Sequence, residues 1–167
     1  PPDNEFEKGM YLIDQGQFVE GRAILSNLLF SDPPPSLRQQ RQIRDVLTGV
    51  NNMLIFSRDR QPNDPVTDWY EIKPGDRYVK IAPKFNVPHQ FLQNVNQISP
   101  TKLQIGQSLK VVKGPFHARV LKSQYIMDLF LLDDQGKPIY VASFPVGLGE
   151  DDSTPIGQWV VSPGKKT

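Results

Sequence analysis

The sequence predicts an α+β chain: an N-terminal helical hairpin plus a third helix, a small β-α-α-β unit, and an incomplete, mainly β segment. Three observations lead there. Apolar residues recur three and four apart up to about Ser57 and alternate from Phe116 onward. Two polar or turn-forming stretches, RDRQPNDPVTD at 58–68 and Lys113-Gly114-Pro115, divide the chain. Finally, 16 Pro and 12 Gly in 167 residues favour several small units over one large core. The expected organisation is a helical segment at 1–58, a linker at 59–68, the small mixed unit at 69–113 and the β segment at 114–167.

The helical segment has three stripes. Phe6, Met10 and Ile13 form the first, and Gly16-Gln17 interrupts it. Phe18, Leu25, Leu28 and Leu29 form the second, which Asp32-Pro33-Pro34-Pro35 stops. Ser36 is a candidate N-cap for a longer helix with Ile43, Val46, Leu47, Val50 and Leu54 on one face. On that reading the basic stretch Arg38 to Arg44 is the solvated side.

In the next unit, Tyr70-Glu71-Ile72 alternates as a half-buried strand, and Pro74-Gly75 supplies a tight turn. Asp76 is placed to cap a short helix whose Tyr78, Ile81, Ala82 and Phe85 share a face. Pro83 falls inside that helix, where proline kinks or ends it. Pro88 opens a second helix with Phe91, Leu92 and Val95 on its apolar face, and Ile105-Gly106-Gln107 turns into a strand over 108–112.

Residues 70 to 112 thereby resemble the LysM (lysin motif) glycan-binding module. The resemblance rests on Tyr70, Ile72, Gly75, Asp76, Ile81, Ala82, Leu92, Asn96, Leu103, Gly106, Gln107, Leu109 and Val111. It departs from the usual pattern at Arg77-Tyr78, where members carry Ser or Thr then Leu, and at Pro83. The resemblance implies a shallow groove for N-acetyl groups between two loops, with Gly75, Asp76, Arg77 and Tyr78 on one side. Gln97, Ile98, Ser99, Thr101 and Leu103 form the other. Tyr78 has two readings, a sugar-facing ring or a core residue in the stripe with Ile81 and Ala82. The implied partner is peptidoglycan or another N-acetylglucosamine-containing glycan. Gly9, Leu12, Gly16, Phe18, Gly21, Leu25, Leu28 and Asp32-Pro33 resemble one tetratricopeptide-type hairpin, which reads either as a seat for a protein partner or as a helical cap on the rest of the chain.

The β segment is expected to place strands at Ala118 to Lys122, Tyr125 to Leu132, Pro138 to Phe144 and Gly157 to Val161, with a hairpin at Asp133-Asp134-Gln135-Gly136. This hairpin, Pro145-Val146-Gly147, and Thr154-Pro155-Ile156-Gly157 before an aromatic-containing strand resemble the amino-terminal part of an L,D-transpeptidase catalytic domain. The resemblance implies a parent in the bacterial cell envelope that cross-links stem peptides through a cysteine. Its His and Ser-x-Gly-Cys motif are expected past Thr167, as is an export signal upstream of Pro1; the chain as given is expected to be inactive. The alternative is a non-enzymatic LysM scaffold on peptidoglycan or chitin. A partial sheet should leave Leu129, Leu131, Ile139 and Val141 in need of cover, from another chain, a swapped strand or the helical segment.

Composition excludes several classes. With 19 basic and 18 acidic residues and no dense basic run, nucleic acid is not an expected partner. The absence of Cys removes disulfides and thiol-ligated metal, and no apolar run reaches the ~20 residues of a membrane span. No cofactor, metal or catalytic residue is expected. Glu150-Asp151-Asp152 reads as a solvated loop, His89 and His117 as surface or linker residues, and Trp159 as core, while Trp69 is open.

Overall fold

The computed structural model describes residues 2–149 and 154–160. Its elements, in order, are helices α1 (Glu5–Asp14), α2 (Phe18–Leu29) and α3 (Leu37–Leu54), strand β1 (Thr67–Glu71), helices α4 (Tyr78–Ile81) and α5 (His89–Asn96), and strands β2 (Ser108–Val112), β3 (His117–Leu121), β4 (Ile126–Leu132) and β5 (Pro138–Pro145). Short 3₁₀ turns follow α4, precede β2 and link β3 to β4. The α+β class is as the patterns require.

Local chemistry sets the helix ends. Asn4 accepts from the Glu7 N–H, and Ser36 with Gln39 forms a reciprocal capping box at the start of α3. The first two helices cross closely because two glycines permit it. A Cβ on Gly9 would lie 2.6 Å from Leu25 Cγ, and one on Gly21 would lie 2.7 Å from Ile13 Cδ1. Pro83 ends the α geometry of α4 after one turn, and residues Ala82–Phe85 continue as 3₁₀.

Two antiparallel sheets form. In the first, β1 pairs with β2, Tyr70 opposite Leu109 and Thr67 opposite Val112; in the second, the order is β3-β4-β5 with a bulge at Leu129/Phe130. The apolar positions of α3 named from sequence face inward, Ile43, Leu47 and Leu54 being fully buried. One core joins Val50, Leu54 and Ile55 of the helical segment to Val66, Val112, Leu131, Ile139 and Val141. Of the three covers expected for the β segment, the helical segment is the one seen, with α2 and α3 packed on β5.

Several sequence expectations need correction. Arg44 does not belong to a solvated face: its guanidinium donates to both oxygens of Asp128 at 2.8 and 2.9 Å, and Asp128 is fully buried. The same carboxylate accepts from Arg119 at 3.0 Å and from Ser143 at 2.7 Å. Burial by itself raises the Asp128 pKa, but hydrogen bonds from Arg44, Ser143 and Arg119 outweigh it and hold the carboxyl below its ordinary value. The expected linker is also built into the fold. Asp64, Val66 and Thr67 are buried, Asp64 pairs with the fully buried Arg22 at 2.7 Å, and β1 starts at Thr67.

Lys110 fastens the same region. Its ammonium, buried on β2, donates to the carbonyls of Leu54, Ser57 and Asp59 at 2.6 to 2.8 Å, where loss of hydration pushes its pKa down to about 8. The strand expected at Gly157 to Val161 is not present over 157–160, and Val161 lies outside the described residues. Trp159 is 72% exposed and not core, since among the described residues no strand forms around it. The Glu150-Asp151-Asp152 loop lies outside the described residues.

Candidate functional site

The site is built on the β1-α4-α5-β2 unit. Its core is Ile72, Tyr78, Ile81, Ala82, Val87, Leu92, Leu109 and Val111, so both helices lie against one face of the two-stranded sheet. Two loops are left outside that core, the turn from Lys73 to Arg77 and the stretch from Gln97 to Leu103.

Gly75 occupies the first loop with φ +80°, a conformation open to glycine, and its carbonyl accepts from Lys80 Nζ at 3.2 Å. Asp76 was expected to cap α4. Instead it turns back: its Oδ2 accepts from the Lys73 N–H at 2.9 Å and from the Tyr70 hydroxyl at 2.7 Å, and Arg77 stands at the N-cap without a side-chain bond. The reason is that Lys73 offers an unpaired N–H three residues back, which closes the turn before α4 begins. Lys84 donates to Tyr70 at 2.8 Å and lies 3.6 Å from Asp76. The Tyr70 hydroxyl, the Lys73 N–H and Lys84 together keep the Asp76 carboxyl below its ordinary range, so it is ionised and engaged. Arg77 is exposed.

The structure decides between the two readings of Tyr78. The ring is only 2% exposed and belongs to the core, while its hydroxyl donates to the Ile98 carbonyl at 3.1 Å. Burial pushes the phenol pKa up. The residue therefore ties the second loop to the start of α4 from within the core, and its ring is not open to a sugar.

In the second loop Gln97 closes α5 with φ +54°, a left-handed conformation, and its N–H bonds back to the Gln93 carbonyl. Ser99 and Thr101 share a hydroxyl contact at 3.0 Å, both exposed, and Leu103 turns inward against the unit's core. Asn96, buried, holds α5 to β2 through its contacts with the Lys110 N–H and carbonyl at 2.8 Å. A shallow depression of about 390 Å³ opens here, lined by Gln93, Asn94, Gln97, Ile98 and Ser99. Three of the five are residues expected from sequence. Gln93 and Asn94, from the last turn of α5, were not among them.

Residues 70–112 match the LysM domain family. Such domains bind N-acetylglucosamine-containing glycans. The LysM match covers a minority of the chain and says nothing of the segments flanking it. No curated protein matches the chain. A solved structure of a MoCVNH3 variant (Mo0v) in complex with (N-GlcNAc)4 is 17% identical, covering 47% of this chain and 54% of that chain with a TM-score of 0.29. The chain therefore spans about half the length of that protein.

Among the described residues no group of three His, Cys, Asp or Glu could hold a metal ion, and no helix is long and apolar enough to cross a membrane. His117 is stacked on Phe130, with ring centroids 5.3 Å apart, which occupies one face of its imidazole.

Proposed function

We propose that this chain is the glycan-anchoring portion of a bacterial cell-envelope L,D-transpeptidase, holding the parent enzyme on peptidoglycan. The observation that carries the anchoring role is the match of residues 70–112 to the LysM domain family, supported by a surface loop at 97–103 that the bond from Tyr78 to Ile98 holds to the unit's core. A neutral, amide-rich lining beside an apolar Ile98 suits a sugar, which offers hydroxyl and acetamido groups on a partly apolar ring. Tethering the parent through such a groove raises the effective concentration of stem peptides at its catalytic domain.

What supports the parent's identity is the β segment. The hairpin at 133–136 and the stretches Pro145-Val146-Gly147 and Thr154-Pro155-Ile156-Gly157 resemble the amino-terminal part of an L,D-transpeptidase catalytic domain. With no cysteine, the chain as given has no thiolate for acyl transfer. The helical hairpin, with its tetratricopeptide-like spacing, serves in this reading as a cap on the β segment.

Sedimentation with purified sacculi tests the anchor. The wild-type chain should pellet, and Ser99→Trp, which fills the groove from an exposed position, should remain in the supernatant. Equal retention of both would remove the groove from the reading. A longer form that includes a His and a Ser-x-Gly-Cys segment, assayed on tetrapeptide muropeptides, tests the parent: a gene without such a segment, or absence of transpeptidation by that form, ends the enzyme assignment.

A further inference from the structure

The helix that lines the depression is joined to the far sheet by an unbroken run of buried polar groups. Asn96 is buried on the same helix as Gln93 and Asn94, and its carboxamide accepts from the Lys110 N–H and donates to the Lys110 carbonyl, each at 2.8 Å. The Lys110 ammonium donates to the carbonyls of Leu54, Ser57 and Asp59, of which Leu54 is the last residue of α3. One turn earlier, the fully buried Asn51 accepts at its own carbonyl from the Ile55 and Phe56 N–H groups. Its carboxamide donates to the carbonyls of Tyr140 and Val141 on β5 at 2.7 and 3.1 Å.

The run ends at the weak point of the sheet. Across the bulge, Leu129 is opposite Ala142 and Phe130 is opposite Tyr140, so Val141 has no Cα partner on β4. A bulge breaks the ladder locally and leaves backbone groups to be satisfied from elsewhere, which Asn51 does here from α3. The apolar core shared by Leu54, Val112 and Val141 follows the same route, but apolar contacts are non-directional and survive a small slide. A buried ammonium and two buried carboxamides do not, because each lost partner leaves a polar group cut off from water. Opening of the bulge and opening of the LysM unit are thereby linked.

We propose that occupancy of the α5 depression by a glycan stabilises the β3-β4-β5 sheet against opening, with Asn96, Lys110 and Asn51 carrying the linkage. The inference rests on the glycan-binding reading above. A ligand that binds only the closed form lowers the population of every opening that destroys its site. By the same linkage, a change that steadies the sheet raises affinity at the depression. An anchor on a loose linker would only bring the β segment close to the glycan; this one also firms it.

Hydrogen exchange of the full chain, read by mass spectrometry with and without a GlcNAc tetramer, is the test. With the tetramer about 100-fold above its Kd, the slowest amides of β2 and of β5 should both slow, by up to about 100-fold and within about three-fold of each other. Lys110→Met should keep the slowing in β2 and cut that in β5 to less than about a tenth of it. Asn51→Leu breaks the run at its other end and should do the same, so either variant decides if the other does not fold. Slowing confined to residues 70–112 in the wild type overturns the linkage and leaves the glycan reading standing. Slowing of β5 that is as large in the variants as in the wild type overturns the role of the polar run. No slowing anywhere overturns the glycan reading and the linkage with it.

Discussion

Asp128→Leu should be among the most damaging single substitutions in the chain, because one buried carboxylate serves two guanidiniums from different parts of the sequence. Arg44 reaches it from α3 with two bonds and Arg119 from β3 with one, while Ser143 on β5 donates a fourth. Breaking a buried pair from one side costs about 3–5 kcal/mol, since the remaining charge has no partner. The two arginines do not suffer equally. The Arg44 side chain is 6% exposed and is stranded almost in full; Arg119 is 30% exposed, keeps its bond to the Leu29 carbonyl, and is partly relieved by water. The expected loss is therefore about 3–4 kcal/mol, not twice the single-pair figure. Urea unfolding followed by circular dichroism measures it. The double variant Arg44→Met/Asp128→Leu should lose less than Asp128→Leu alone, because an apolar pair replaces a stranded cation. Acid should mimic the substitution. The folded carboxyl sits below the unfolded value of about 3.9, so its contribution is complete above that pH and disappears as pH falls through the folded value. A loss under about 1 kcal/mol, or a double variant that loses the sum of the singles, would refute this account of how α3 is joined to the β segment.

Lys110 predicts an alkaline gain. Its folded pKa of about 8 lies below the unfolded 10.5, so the unfolded chain binds more protons in that interval and stability should rise from pH 8 toward 10, by up to about 2.5 kcal/mol. Lys110→Met should flatten the rise in thermal melts, and above about pH 10 the raised phenols of Tyr78 and Tyr140 should work against folding. Two glycine substitutions should differ in sign. Gly9→Ala drives a methyl to 2.6 Å from Leu25 and should cost about 1–3 kcal/mol, whereas Gly49→Ala, with open space around it inside α3, should gain about 0.5–1 kcal/mol. Tyr78→Phe removes the tie to Ile98 and should cost about 1 kcal/mol in stability while weakening sugar binding several-fold.

What the sequence allowed to be read, and what it hid, follow from the range of the forces involved. Ser36, the stripe from Ile43 to Leu54, the turn at Gly75 and the break at Pro83 act on neighbours within a helical turn or two, so their patterns survive in one dimension. Arg44 could not be distinguished from Arg38 and Arg41 by any local rule. Its partner lies 84 residues away, and only the fold shows which arginine of the three faces the sheet. Arg22 with Asp64, and Lys110 with three carbonyls between Leu54 and Asp59, were hidden for the same reason. Each of these buried charges crosses a boundary that composition had suggested.

The groove divides along the same line. Gln97, Ile98 and Ser99 came from the LysM resemblance and not from any local rule, and the structure places them together at the end of α5. Gln93 and Asn94 join them only through the helical turn that brings i and i+4 together, and a polar helix face carries no mark of which polar residues meet a ligand. The role of Tyr78 was undecidable from spacing, since an apolar stripe and a sugar platform demand the same aromatic. Its 2% exposure and the bond to Ile98 resolve the choice in favour of the core. With that aromatic turned inward, the depression offers a ligand the carboxamides of Gln93, Asn94 and Gln97 and the hydroxyl of Ser99 around Ile98, so any selectivity it has must come from hydrogen-bond pattern and not from ring stacking.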